Sequence, residues 1–221
     1  MPSPKPLSRA FADIRFLISA SQLEGLLPEG VPEIAFVGRS NVGKSSALNV
    51  LANRKRLAFV SKTPGRTQLI NFFSFGEDAR LVDLPGYGYA KVPLGVRNDW
   101  GRLVAGYLQT RRSLLGVVSL MDSRRPLTPL DRQLLGWLAP LERRLLILLT
   151  KSDKLSRSEQ ARTLITTQKE LAALGIEGEC RLFSSQSRQG VEDTRDHLDG
   201  WLAGALTAGF PENKKAPGKG E

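Results

Sequence analysis

The chain has 221 residues, 41% of them hydrophobic and 24% charged, a balance that excludes wholesale disorder and suits one ordinary soluble domain. No apolar run nears the roughly 20 residues that span a bilayer, the basic N-terminus carries no apolar signal segment, and the single Cys180 excludes an internal disulfide or a cysteine metal cluster. A net charge of +10 points to a polyanionic partner, nucleic acid before membrane, or else to a solvated basic surface.

Residues 1–30 read as a lead-in broken by prolines, with enough apolar side chains between Leu17 and Leu27 to pack on a domain. A domain is expected over residues 31–207. Ile34 to Val37 is a short buried strand running into a glycine-rich turn, and a helix is under way by Ala47 to Leu51. Leu69 to Phe75 and Arg80 to Leu84 read as a strand pair about the turn Gly76-Glu77-Asp78. Val96, Trp100, Leu103, Val104, Tyr107 and Leu108 share one helical face.

Gly116 to Met121 is the next strand, and Thr128-Pro129-Leu130-Asp131 has the cap, proline and acid that open a helix. The strand Leu145 to Leu149 precedes a capping box, Ser156-x-x-Glu159, whose helix should turn Ala161, Leu164, Ile165, Leu171 and Ala172 inward. A strand near Arg181-Leu182-Phe183 and a helix burying Val191, Leu198, Trp201, Leu202 and Ala205 follow. Residues 208–221 hold lysines, prolines and glycines with few apolar groups, the composition of a disordered basic tail. Alternating strands and helices predict an α/β domain with a mostly parallel sheet covered on both faces. Ligands then bind beyond the carboxyl ends of the strands.

At the first such end stands Gly38-Arg39-Ser40-Asn41-Val42-Gly43-Lys44-Ser45, a full G-x-x-x-x-G-K-S match. Its glycines let successive N–H groups converge on a phosphate, and the following helix adds its positive end. Lys44 would reach the β- and γ-phosphates and the Ser45 hydroxyl would ligate Mg²⁺. Asp83-Leu84-Pro85-Gly86 follows a later strand, where the acid can hold Mg²⁺ through water and the Gly86 N–H is free to contact a γ-phosphate.

Thr150-Lys151-Ser152-Asp153 ends another strand; its carboxylate suits the N1–H and amine of guanine, with the Lys151 stem across the ring. Adenine lacks that donor pair and would leave Asp153 unpaired. Phe183, Ser184 and Ser185 end the last strand, where a backbone N–H can meet the guanine O6. In the basic stretch Ser61 to Gln68, Thr67 is the candidate for a second hydroxyl on Mg²⁺, with Thr63 the alternative. In this order the motifs are those of a P-loop GTPase.

The strings Gly38 to Ser46, Ser61 to Gln68, Asp83 to Gly88 and Thr150 to Asp153 resemble the EngB (YihA/YsxC) family of bacterial GTPases, within the TrmE-Era-EngA-EngB-Septin-like superfamily. The resemblance spans residues 10 to 206. It implies a six-stranded Ras-like fold, GTP and Mg²⁺ binding, and a part in large ribosomal subunit assembly, with a need for the protein in division and septation. It also extends the nucleotide site over Gly65, Arg66, Thr67, Gln68 and Leu69.

Thr67 and Gly86 would touch the γ-phosphate only in the triphosphate state, so their loops should order with GTP and loosen with GDP. Tyr87 stands where Ras-type sites carry a glutamine that orients the attacking water, so hydrolysis should be slow without a partner. Asn41 is either a ligand for K⁺ near the phosphates or a turn-forming residue. Arg54-Lys55-Arg56, Arg111-Arg112, Arg124-Arg125 and Arg143-Arg144 are candidates for ribosomal RNA phosphates. His197 reads as a partly buried packing or surface residue, and the three tryptophans as core. The whole is expected to be a cytoplasmic monomer; a nucleotide-gated binding module without hydrolysis and a P-loop ATPase are the other readings.

Overall fold

Seven strands form one sheet in the order β1-β3-β4-β2-β5-β6-β7. They are β1 Phe16–Ala20, β2 Glu33–Gly38, β3 Ile70–Ser74, β4 Arg80–Asp83, β5 Leu114–Asp122, β6 Arg144–Thr150 and β7 Glu179–Leu182. Five helices connect them: α1 Lys44–Leu51, α2 Leu94–Thr110, α3 Pro129–Leu138, α4 Arg157–Ala173 and α5 Val191–Thr207. This computed structural model describes residues 11, 13–55, 57, 69–76, 78–88 and 94–207, the side chains of 94–100 excepted.

The sheet has one strand more than the six expected. The extra strand is β1, which pairs antiparallel with β3, from Phe16 opposite Phe73 to Ala20 opposite Ile70. Four of its five residues are not buried, so FLISA carries no alternation strong enough to mark an edge strand. Beyond β3 and its antiparallel partner β4, the remaining pairs are parallel. Parallel strands buried on both faces need near-continuous apolar sequence, and β2 and the stretch Leu145 to Thr150 of β6 are buried throughout.

Side chains alternate between two cores. Ile34, Phe36, Val118, Leu120, Leu146 and Leu148 meet α1 and α5 on one face. Ala35, Val37, Val117, Ile147 and Leu149 meet α2, α3 and α4 on the other. Helices α3 and α4 begin at complete capping boxes, Thr128 with Asp131 and Ser156 with Glu159. The face that α4 buries is narrower than expected. Leu171 is buried, but Ile165 is 52% exposed and Ala161 and Ala172 are also exposed, because α4 lies over the sheet's end beside the short strand β7. Trp201 is buried and Trp137 packs at the core margin, while the Trp100 side chain lies outside the described residues.

At the amino end of β2 a charged cluster ties the lead-in to the domain. Buried Glu33 accepts from Arg111 Nε and Nη2 at 2.8 and 2.6 Å and from the Tyr107 hydroxyl at 2.9 Å. The same Arg111 Nη2 donates to the Leu27 carbonyl at 2.7 Å. Arg111 is therefore no candidate for RNA phosphates: the carboxylate inside holds it, and it is 6% exposed.

Candidate functional site

Every motif picked out along the chain and described here stands at the carboxyl edge of the sheet. The chain leaves β2 at Gly38, β4 at Asp83, β5 at Asp122, β6 at Thr150 and β7 at Leu182. Parallel pairing brings those five exits side by side.

The loop from Gly38 to Gly43 is wound tightly enough to need its glycines. A Cβ on Gly38 would stand 2.8 Å from the Leu120 carbonyl, and Gly43 sits at φ +104°, a region that L side chains avoid. Asn41, at φ 62°, and Gly43 flank Val42, and such alternation curls backbone N–H groups around a concavity suited to an anion. Helix α1 starts at once, at Lys44, three residues before its apolar pattern begins. Its far end is closed by Arg195, buried, which donates to the Leu51 and Val50 carbonyls at 2.8 and 2.9 Å.

Lys44 forms an ion pair with Asp83, and both side chains are nearly buried. Asn71 Nδ2 approaches the other Asp83 oxygen at 3.4 Å. The loop after Asp83 is laid against the phosphate loop: Ser40 N donates to the Tyr87 carbonyl at 2.7 Å and Tyr87 N to the Gly38 carbonyl at 3.2 Å. Gly86 is thus held beside the anion nest. The Tyr87 ring is buried and its hydroxyl donates to Asp131 Oδ1 at 2.7 Å, inside the capping box of α3. Burial, with the Asp131 charge behind it, drives the Tyr87 hydroxyl pKa far upward. Tyr87 therefore presents no polar tip toward an attacking water.

Beyond β6 and β7 Ser184, fully buried, donates to Asp153 Oδ1 at 2.6 Å and accepts from Gln186 N and Ser187 N. The Ser184 hydroxyl, foremost, holds the Asp153 carboxyl below the usual carboxylate range. Lys151, at φ 58°, lays its ammonium on the Asn41 carbonyl at 2.8 Å and on Asp122 at 3.0 Å. Thr150 faces inward: its hydroxyl lies 2.7 Å from the Val42 carbonyl and 3.1 Å from that of Met121, so it joins the two loops. Ser152 is buried with its hydroxyl on Gln189, leaving Asp153 as the polar tip of its loop.

Asp122 went unnoticed in the sequence. Arg124, in a two-point contact at 2.9 and 2.7 Å, is the main cause of its depressed pKa, with Lys151 adding to it. Its position as the last residue of a parallel strand was the available signal. Ser45 and Asp83 are oxygen donors, the set a hard divalent cation takes, so the residues fit Mg²⁺. Gly65, Arg66, Thr67 and Gln68, and the alternative Thr63, lie outside the described residues; Leu69 is described and leads into β3.

This sheet, with a lysine-bearing anion nest at one exit and a serine-aimed carboxylate at another, defines a P-loop GTPase domain. The model of the family described as "50S ribosome-binding GTPase" matches residues 33–151. A probable GTP-binding protein EngB of Aromatoleum aromaticum is 55% identical over 192 residues, covering 87% of this chain and 89% of that protein. Its counterpart in an Azoarcus species is 52% identical over 200 residues, covering 90% and 96%. Among solved structures, a probable GTP-binding protein EngB superposes with TM-score 0.64 at 18% identity, covering 78% of this chain and 99% of that one. Era of Aquifex aeolicus follows with TM-score 0.61 at 18% identity, covering 85% and 60%. The chain belongs to the EngB family of GTP-binding proteins, and it is a GTPase.

Proposed function

We propose that this chain is a GTP-operated switch in assembly of the large ribosomal subunit, acting in the cytoplasm and needed for normal division and septation, with hydrolysis that stays slow until its partner is bound. The observation that carries the nucleotide part is the Asp153 carboxylate, aimed by Ser184 at 2.6 Å on the same sheet edge as the anion nest. A carboxylate there accepts from both the N1–H and the exocyclic amine of guanine. The Lys151 stem would lie along the ring, and the Ser185 N–H would meet the O6.

The backbone from Gly38 to Ser45 would cradle the phosphates, and Lys44 would move from Asp83 to the β- and γ-oxygens. Ser45 and Thr67 are the proposed direct ligands of Mg²⁺, with Asp83 behind them through water; when bound, the ion supplies charge neutralisation on the phosphates. Gly86 N–H would hold the γ-phosphate for in-line attack by water, which breaks its bond to the β–γ bridging oxygen. With the Tyr87 hydroxyl on Asp131, no side chain at that position orients the water. Intrinsic turnover should therefore lie below roughly 10⁻² s⁻¹.

The ribosomal part is supported by the family description and by the net charge of +10. No helix among the described residues is long and apolar enough to cross a membrane. Exposed basic groups, among them Arg54, Lys55, Arg112 and Arg143, are the proposed contacts to ribosomal RNA, so the complex should weaken as salt rises. Phosphate release measured with and without large ribosomal subunits tests the proposal. Stimulation by the subunits supports it; turnover of several per second by the protein alone overturns it. Equal rates in potassium and sodium would reduce Asn41 to a turn residue.

A further inference from the structure

The base-facing side of the site contains a hydrogen-bonded ring that joins Ser152 to two glutamines outside the nucleotide motifs. Ser152, buried next to Asp153, donates its hydroxyl to Gln189 Oε1 at 2.7 Å. Gln189 Nε2 donates to Gln160 Oε1 at 3.1 Å, and Gln160 Nε2 returns to the Ser152 carbonyl at 2.9 Å. The amide orientations follow from the partners. The Ser152 and Leu155 carbonyls only accept, so Gln160 must turn its nitrogen toward both. Its oxygen then takes the Gln189 amide, whose own oxygen is left for the Ser152 hydroxyl. Reversing either amide sets oxygen against oxygen.

Gln189 also carries the neighbouring loop. Its backbone carbonyl accepts from Ser184 N at 3.0 Å, and Ser152 N reaches the Phe183 carbonyl at 3.2 Å. Ser184 is the residue whose hydroxyl aims Asp153. The loop after β6, the loop after β7 and the first turn of α4 are thus braced at one point, beside the carboxylate that must meet two donors of one planar base. Hydrogen bonds weaken steeply as their angle departs from linear, so two simultaneous bonds to one base edge depend on how firmly that carboxylate is held.

We propose that Gln160 and Gln189 are positioning residues for guanine selectivity: they hold the Ser152 and Ser184 loops in the register that lets Asp153 accept from both guanine donors. This rests on the reading of Asp153 given above. Hypoxanthine keeps the N1–H but lacks the exocyclic amine, so slackening the brace costs GDP more than IDP.

The full chain, its Gln189→Leu and Gln160→Leu variants and the double variant are titrated with GDP, IDP and ADP, and the unfolding midpoint of each is recorded. The wild type should favour GDP over IDP and both over ADP. Each single variant should narrow the GDP to IDP ratio by about five- to tenfold, the equivalent of one ordinary hydrogen bond. The double variant should be no worse than the worse single one, because the ring acts as a unit. A wild type that binds IDP as tightly as GDP overturns the Asp153 reading itself. A wild type that discriminates, with variants that keep the full ratio or lose GDP and IDP equally, overturns the role of the two glutamines alone. Should the leucine variants not fold, Gln189→Glu decides in their place: it keeps the acceptor for Ser152 and loses the donor to Gln160, and an unchanged ratio there also refutes the proposal.

Discussion

Replacing Asp153 with asparagine tests the proposed base-selecting role of that carboxylate at the level of single atoms. Ser184 Oγ donates to Asp153 Oδ1 at 2.6 Å, and that contact survives only if the new side chain keeps its oxygen there. The amide nitrogen then takes the position of Oδ2, which Lys154 Nζ approaches at 3.2 Å. One of the two bonds to guanine becomes a donor facing a donor, and the other loses its charge. A hydrogen bond to a charged group contributes about 1.5–3 kcal/mol, and a buried unpaired donor costs about 1–3 kcal/mol. GDP should therefore weaken by about 3–5 kcal/mol, roughly 10²- to 10⁴-fold. Xanthine carries a carbonyl where guanine carries its amine and accepts from the new amide, so XDP should bind about tenfold more tightly than to the wild type. Competition of GDP and XDP against a fluorescent nucleotide reads both constants. A folded variant with an unchanged GDP to XDP ratio would refute the assignment of Asp153.

Three further outcomes follow from buried or partly buried groups. Glu33→Gln strips the charge from a carboxylate that holds Arg111 by two contacts and Arg80 at 3.2 Å; breaking such a buried pair costs about 3–5 kcal/mol. The urea midpoint should fall by about 1–2 M, and an unchanged midpoint would show that the cluster adds no stability. Burial pushes the Cys180 thiol up to about 12, so a thiol reagent should leave it untouched in the folded protein and label it in denaturant; rapid native labelling would contradict its position. Burial draws His197 below its ordinary 6.5, against Glu179 and with Arg181 and Arg144, while Nε2 has no protein hydrogen-bond partner among the described residues. The fold then favours the neutral ring. Its contribution is complete above pH 6.5 and declines as pH falls through the unfolded-state value toward the lower folded-state one. His197→Phe should flatten the fall in melting temperature over that window, and an equally steep variant would refute it.

The nucleotide loops were legible in the chain because each depends on local chemistry. Gly43 must tolerate φ +104°, Lys44 and Ser45 must sit on the first turn of α1, and Asp153 must follow an apolar strand. Capping boxes at Thr128 and Ser156 announced α3 and α4 for the same reason. What escaped were groups whose role comes from a distant partner. Tyr87 read as a substituted catalytic position, yet its hydroxyl serves the cap of α3, 44 residues away. Arg111 read as an RNA contact, yet it neutralises Glu33, 78 residues earlier. Gln160 and Gln189 carry no motif at all; only the packing of α4 beside the exit of β7 lets them meet.

Sequence by itself determined the alternation of strands and helices, the glycine-shaped loop after β2 and the carboxylate after β6, since periodicity and turn chemistry act over a few residues. Tertiary structure decided the seventh strand, the destination of each buried charge and the brace behind Asp153. Those depend on which surfaces the sheet brings within hydrogen-bonding distance, and no local run of residues encodes that.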